Sequence, residues 1–138
     1  MALTRRIIEG RAFGSIIKLP VKAQVIVEVT EIRDNVGPLH SSLVGAKLAD
    51  GTDIALTGHT DLIDKIIRSE AVLPSWFLIE KGDEIPLKSR PGQTLHVYGV
   101  EALANSRDEI LADKDGAALV KATAKLVTDI VDAEPPRA

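Results

Sequence analysis

The stretch "IEKGDEIPLKSRPGQTLHVYGVE", residues 79–101, decides how the chain is read. Strand-like runs "WFLIEKG", "DEIPLK" and "TLHVYGVEAL" are divided here by turn signals at Gly82 and at Pro91-Gly92. Pro86 inside the middle run marks an edge strand or a bulge, because proline cannot donate a ladder hydrogen bond. In the last run Leu95, Val97 and Gly99 share one face, and His96, Tyr98 and Val100 share the other. With the leucine face as the core, His96 and Tyr98 point outward beside Lys88 and Arg90. The stretch then reads as the closing pair of strands of a small barrel.

Upstream, "VKAQVIVEVTEI" (21–32) places Ala23, Val25, Val27 and Val29 on one side, which predicts a long strand with one buried face. "RDNVGPLHSS" (33–42) reads as a loop. "SSLVGAKLADGTDIALTG" then sets two strands either side of Asp50-Gly51, the signature of a tight hairpin in which both central residues need positive φ. After it, Leu62, Ile63, Ile66, Ile67 and Val72 recur at helical spacing. Thr60 or Asp61 caps the start of this helix and Pro74 ends it. In the tail, Leu119, Leu126 and Ile130, with Val120, Ala124, Val127 and Val131, form the apolar stripe of a second helix. Such a helix packs on its own barrel or on a partner.

The chain has 138 residues, 45% of them hydrophobic and 27% charged, enough for one domain with a core. The expected division is a basic N-terminal extension (1–20), a barrel (21–103) and a helical tail (104–138). The apolar runs are far shorter than the roughly 20 residues that cross a bilayer, so a soluble, cytoplasmic protein without a membrane segment is expected. The absence of cysteine removes disulfides, thiol nucleophiles and cysteine-built zinc sites. Residues 1–100 carry twelve basic and twelve acidic side chains, whereas 101–138 carry five and eight, so the net charge of −3 sits in the tail.

The order strand, hairpin, helix, two strands over about residues 21–103 resembles the OB-fold, and "LADGTDIALTG" with the opening stretch resembles the single-stranded-DNA-binding proteins of that fold. Lys81-Gly82 matches the short turn that introduces the fourth strand in that family, and Pro91-Gly92 the glycine-containing loop before the fifth. The resemblance implies a mainly β, five-stranded OB-like barrel with a helix between strands 3 and 4, followed here by the amphipathic C-terminal helix. The chain departs from the family in having only four aromatic residues, Phe13, Trp76, Phe77 and Tyr98, and in ending "AEPPRA".

Strand binding without sequence preference needs bases stacked on aromatic rings beside cations that track the phosphates. The candidates are Tyr98 and Trp76 as platforms, with His96, Lys88, Arg90, Arg33 and Lys47 around them. Against this, Tyr98 can seal a barrel end and Trp76 can plug the core. His59, Asp61 and Asp64 are explained by a helix start rather than by a metal. Ser41 and Ser42 beside His40 make no triad, and no phosphate-cradling glycine pattern occurs. No enzyme activity, metal or cofactor is expected. The leading reading is a non-enzymatic module for single-stranded nucleic acid. The alternative is an oligomeric structural or assembly protein that associates through edge strands or the C-terminal helix.

Overall fold

The computed structural model describes residues 15–36, 41–89 and 91–133. Its elements run β1 (Ser15–Ile17), β2 (Gln24–Val36), β3 (Ser41–Lys47), β4 (Asp53–Thr57), α1 (Thr60–Arg68), β5 (Ser75–Pro86), β6 (Thr94–Leu103), α2 (Arg107–Ala112) and α3 (Lys114–Ala133). The architecture is mainly β. Among the described residues six strands form one open sheet in the order β1-β4-β3-β2-β5-β6, in place of the five-stranded closed barrel expected. The extra strand comes from the N-terminal extension: Ser15–Ile17 pairs in parallel with Ile54–Leu56 of β4. Ile17 and Leu19 thereby enter the core.

β2 holds the sheet together because it pairs on both sides, with β3 from Glu28 onward and with β5 from Gln24 to Val29. Its alternation behaves as expected: Val25, Val27 and Val29 are fully buried in the main core with Val44, Ile54, Leu56, Phe77 and Ile79. Burying a side chain of this size contributes about 1.5–3 kcal/mol, so these strand faces are a large favourable contribution to folding.

The β3–β4 hairpin forms around Asp50-Gly51, but its turn is not the two-residue one. Lys47 pairs with Asp53, Gly51 N–H donates to the Leu48 carbonyl at 2.9 Å, and only Gly51 takes positive φ, at 91°. Asp50 instead accepts from Thr52 N–H at 2.9 Å through its side chain, which holds a three-residue loop ending in a left-handed glycine.

α1 lies between β4 and β5 as expected, with Leu62 and Ile66 buried. His59, rather than Thr60 or Asp61, occupies the N-cap position, and its side chain makes no capping bond. The helix ends at Arg68, well before Pro74, so Val72 falls outside it and is 84% exposed.

The C-terminal helix packs on its own sheet. β2 before Glu28 has no β3 partner on one side, and α3 wraps over that edge. Its first half sets Leu119 and Val120 against an outer cluster of Ile26, Trp76 and Ile110, while Leu126, Val127 and Ile130 of its second half reach the main core. At the midpoint the buried Thr123 hydroxyl accepts the Ile26 N–H at 3.0 Å and donates to the Leu119 carbonyl at 2.7 Å. A side chain thus supplies the acceptor that a neighbouring strand would give.

The polar segment before α3 forms the short helix α2. Ser106 accepts from Glu109 N–H, and the Glu109 carboxylate accepts from Ser106 N–H, which makes a capping box. Among the described residues no helix is long and apolar enough to cross a membrane.

Candidate functional site

The polar chemistry of the interior gathers at one end of the sheet, where β5 and β6 run past β2 and α1 closes over them. The deciding element is the register of β6. Tyr98 pairs with Lys81 and His96 with Glu84, with a bulge in β5 between Lys81 and Glu84. Lys81 belongs to the same face as Phe77 and Ile79 and is only 1% exposed, so its partner Tyr98 faces inward as well, and His96, two residues along β6, shares the face of Tyr98. Tyr98 is 3% exposed, whereas Leu95 is 41% exposed.

This reverses the expected assignment of faces. The reason is physical: an amphipathic aromatic side chain can line an interior if its polar atoms find partners there, and α1 delivers them. Tyr98 Oη shares a hydrogen bond with His59 Nδ1 at 2.5 Å, and the His59 and His96 rings stack with centroids 3.8 Å apart and planes within 5°. Lys81 Nζ sits 5.5 Å from the Tyr98 ring centre, donates to the Gly82 carbonyl at 3.0 Å and lies 3.8 Å from Glu84. Glu84 is also 3.4 Å from His96 Nδ1, an ion-pair distance without hydrogen-bond geometry.

The backbone of Tyr98 is satisfied from the same helix. Its N–H donates to Asp61 Oδ2 at 2.8 Å, and Lys65 donates to its carbonyl. Asp61 and Lys65 are themselves paired at 3.0 Å, one turn apart on α1. A helical ion pair therefore occupies the edge of β6 where a further strand would dock, a device that blunts an open edge. Burial would raise the Asp61 carboxyl, but the Tyr98 N–H and Lys65 outweigh it and hold Asp61 below 3.8.

Two groups of the cluster are shifted away from neutrality. His59 is held down at about 4, first by burial, then by the charges of His96, Lys81 and Lys18, with Glu84 acting in the opposite sense. Tyr98 is pushed up to about 12, first by burial and then by the Glu84 and Asp61 carboxylates. Neither group is poised to exchange a proton at neutral pH, where general acid–base catalysis needs a matched pKa. Five clefts of about 250 to 690 Å³ among the described residues are lined by other side chains than His59, His96, Tyr98 and Lys81. Among those residues, too, no three His, Asp or Glu side chains converge as metal ligands would.

The seven side chains singled out for nucleic-acid binding are not brought together on one surface. Tyr98 and His96 face the interior cluster. Trp76 is 6% exposed in the outer cluster under α2 and α3, so it plugs rather than presents. Both aromatic platforms are therefore withdrawn from solvent, because each ring fills space between the sheet and a helix. Arg33 is exposed and paired with Glu31 at 3.2 Å. Lys47, flanked across the ladders by Glu28 and Asp53, is exposed, as is Lys88 in the β5–β6 loop. Arg90 lies outside the described residues. His59, Asp61, Lys65 and Lys81, which build the interior cluster, were not among the residues singled out. The spacing of Asp61 and Lys65 on one helix face was the readable part of that signal.

The outer face of β5 and β6 is the other candidate surface. Ile85 pairs with Leu95 across the ribbon, and the two are 48% and 41% exposed. Further along, Leu78 lines two adjoining clefts of about 250 and 690 Å³, the larger walled by α2 and α3. The chain matches no protein-family model, no curated protein and no solved structure.

Proposed function

We propose that this chain is a non-enzymatic, cytoplasmic assembly module, an OB-like arrangement of β2 to β6 that associates with protein through the outer face of its β5–β6 ribbon. The observation that carries this reading is the solvent-facing cross-strand pair Ile85–Leu95 on the last two strands, at a sheet edge where β6 pairs only with β5 among the described residues. A ribbon of two strands is marginal on its own, and an apolar pair on its open face is the kind of surface that gains by being covered. The buried positions of Tyr98 and Trp76 favour the same reading, since they remove the stacking that sequence-tolerant strand binding uses.

Light scattering across a wide concentration range tests the proposal. A defined oligomer is expected, and Leu95→Glu is expected to dissociate it with the far-ultraviolet circular dichroism unchanged. A single-chain mass at every concentration refutes it.

A second reading, a module for single-stranded nucleic acid, draws support from Lys18, Lys22, Lys47 and Lys88, which are exposed and make no ion pair among the described residues. Binding of that kind rests on phosphate contacts alone and falls steeply with salt. Titration of labelled oligo-dT and an equally long duplex at low and high salt separates the two readings. Tight, salt-sensitive binding of the single strand that is lost in Lys47→Ala with Lys88→Ala favours the second; no binding at low salt favours the first.

A further inference from the structure

The two clefts that share Leu78 form one trough along the outer face of β6, between the ribbon and the α2–α3 corner. Its floor is apolar, with Ile26, Leu78 and Leu103, and α3 supplies the far wall. Its upper end stays open because Gly99 carries no side chain opposite Glu80. The acids around it divide into two kinds. Glu109 and Asp113 are spent on helix starts, the first in the capping box and the second accepting Gly116 N–H at 2.8 Å. Glu80, Glu101 and Asp115 have no such employment: they line the trough and make no ion pair among the described residues. Carboxylates bordering an apolar floor are complementary to a cationic partner with apolar side chains, which pairs with the charges and covers the floor.

From this complementarity we infer that the trough is the docking site for a basic amphipathic helix of a partner protein, with leucine-like side chains on the floor and arginine or lysine against Glu80, Glu101 and Asp115. The inference deepens the assembly reading and rests on it for the premise that this face meets protein. On β6 the lining of the trough runs from Gly99 to Leu103, about 13 Å of strand. A helix of about nine residues spans that segment, and one of about 18 extends past it by about a turn at each end. Helix-in-groove recognition places its anchors at such spacing.

The test is fluorescence anisotropy of the full chain with a labelled Leu/Arg peptide of about 18 residues, arginine on one helical face and leucine on the other, beside a peptide with glutamate for arginine. A Cβ added at Gly99 meets only Glu80 Cβ at 3.8 Å, so Gly99→Tyr fills the trough without disturbing the strand. Saturable binding of the Leu/Arg peptide alone is expected. It should weaken at least about tenfold in Gly99→Tyr and in the double variant Glu80→Gln with Glu101→Gln. It should change by less than about twofold in Asp53→Asn with Asp132→Asn, an equal charge change beside a cleft that shares no residue with the trough. The double glutamine variant decides the matter should Gly99→Tyr fail to fold. Absence of binding, or an equal loss in the Asp53 and Asp132 variant, overturns the inference. So does conversion of an oligomer to single chains by Gly99→Tyr, because the trough is then a contact between copies. Peptide binding that fails while the Leu95-dependent oligomer persists removes this inference and leaves the assembly reading standing.

Discussion

Acidification should loosen α1 from the sheet, and His59 sets the pH at which it does so. Its imidazole faces Asp61 and Lys65 from α1, Lys81 and Glu84 from β5, His96 and Tyr98 from β6, and Lys18 beyond β1. In the folded chain it is held at about 4 against 6.5 when free. Between these values the unfolded chain binds more protons than the folded one, so stability falls as pH drops from about 6.5 and the loss is complete below about 4. For a fully sequestered ring that difference corresponds to about 3 kcal/mol. His59 is only partly shielded from solvent, which reduces the expected loss to about 1–2 kcal/mol. Urea unfolding at a series of pH values in this window measures it directly. His59→Asn keeps a neutral residue suited to the N-cap position and should flatten the profile over the same range. Asp61 contributes separately: its folded carboxyl is lowered, so its stabilisation is present above 3.8 and is lost at lower pH. A profile that is flat between about pH 6.5 and about pH 4, or an unchanged slope in His59→Asn, would refute the role assigned to His59.

Three substitutions probe the other contacts. Thr123→Val preserves shape but leaves the Ile26 N–H without its acceptor, and chemical denaturation should show a loss of about 1–3 kcal/mol. Gly116→Ala would place a Cβ 2.3 Å from the Ile110 carbonyl oxygen, so the α2–α3 corner must shift; a loss of about 1–3 kcal/mol in the same assay is expected. Asp61→Ala removes the acceptor for Tyr98 N–H and the partner of Lys65, and hydrogen exchange at the Tyr98 amide should accelerate well beyond that of Val27 in the sheet centre.

How far the fold could be read from residues depends on where each pattern gets its meaning. Val25, Val27 and Val29 alternate because one face of β2 is core, and the apolar stripe of α3 repeats because one face of that helix is covered; both patterns are local and legible. The three residues of β1 carry no pattern of their own, since their assignment rests on parallel pairing with Ile54–Leu56 far along the chain. The β6 face was misassigned by hydrophobicity because its interior residues are the polar-tipped ones: Tyr98 and His96 become interior only once His59, Asp61 and Lys65 arrive from α1. The expected exposure of the two aromatic platforms was lost at the same step, for the side chains that looked most like a surface, Tyr98 and Trp76, are those the helices cover. The α2 start was legible in Ser106-x-x-Glu109, a local signal that the surrounding polar run obscured.

The bond between Ile26 and Thr123 joins residues 97 positions apart. On a ribosome, β2 emerges early and then waits with its edge uncovered until α3 has been made. The apolar slot that Val127 fills stays open for the same interval. Contacts of such long sequence separation slow folding and leave the incomplete sheet exposed to misassociation. A nascent chain stalled after Leu103 should therefore be sensitive to protease and prone to aggregate, and the sheet should become resistant only when α3 clears the exit tunnel.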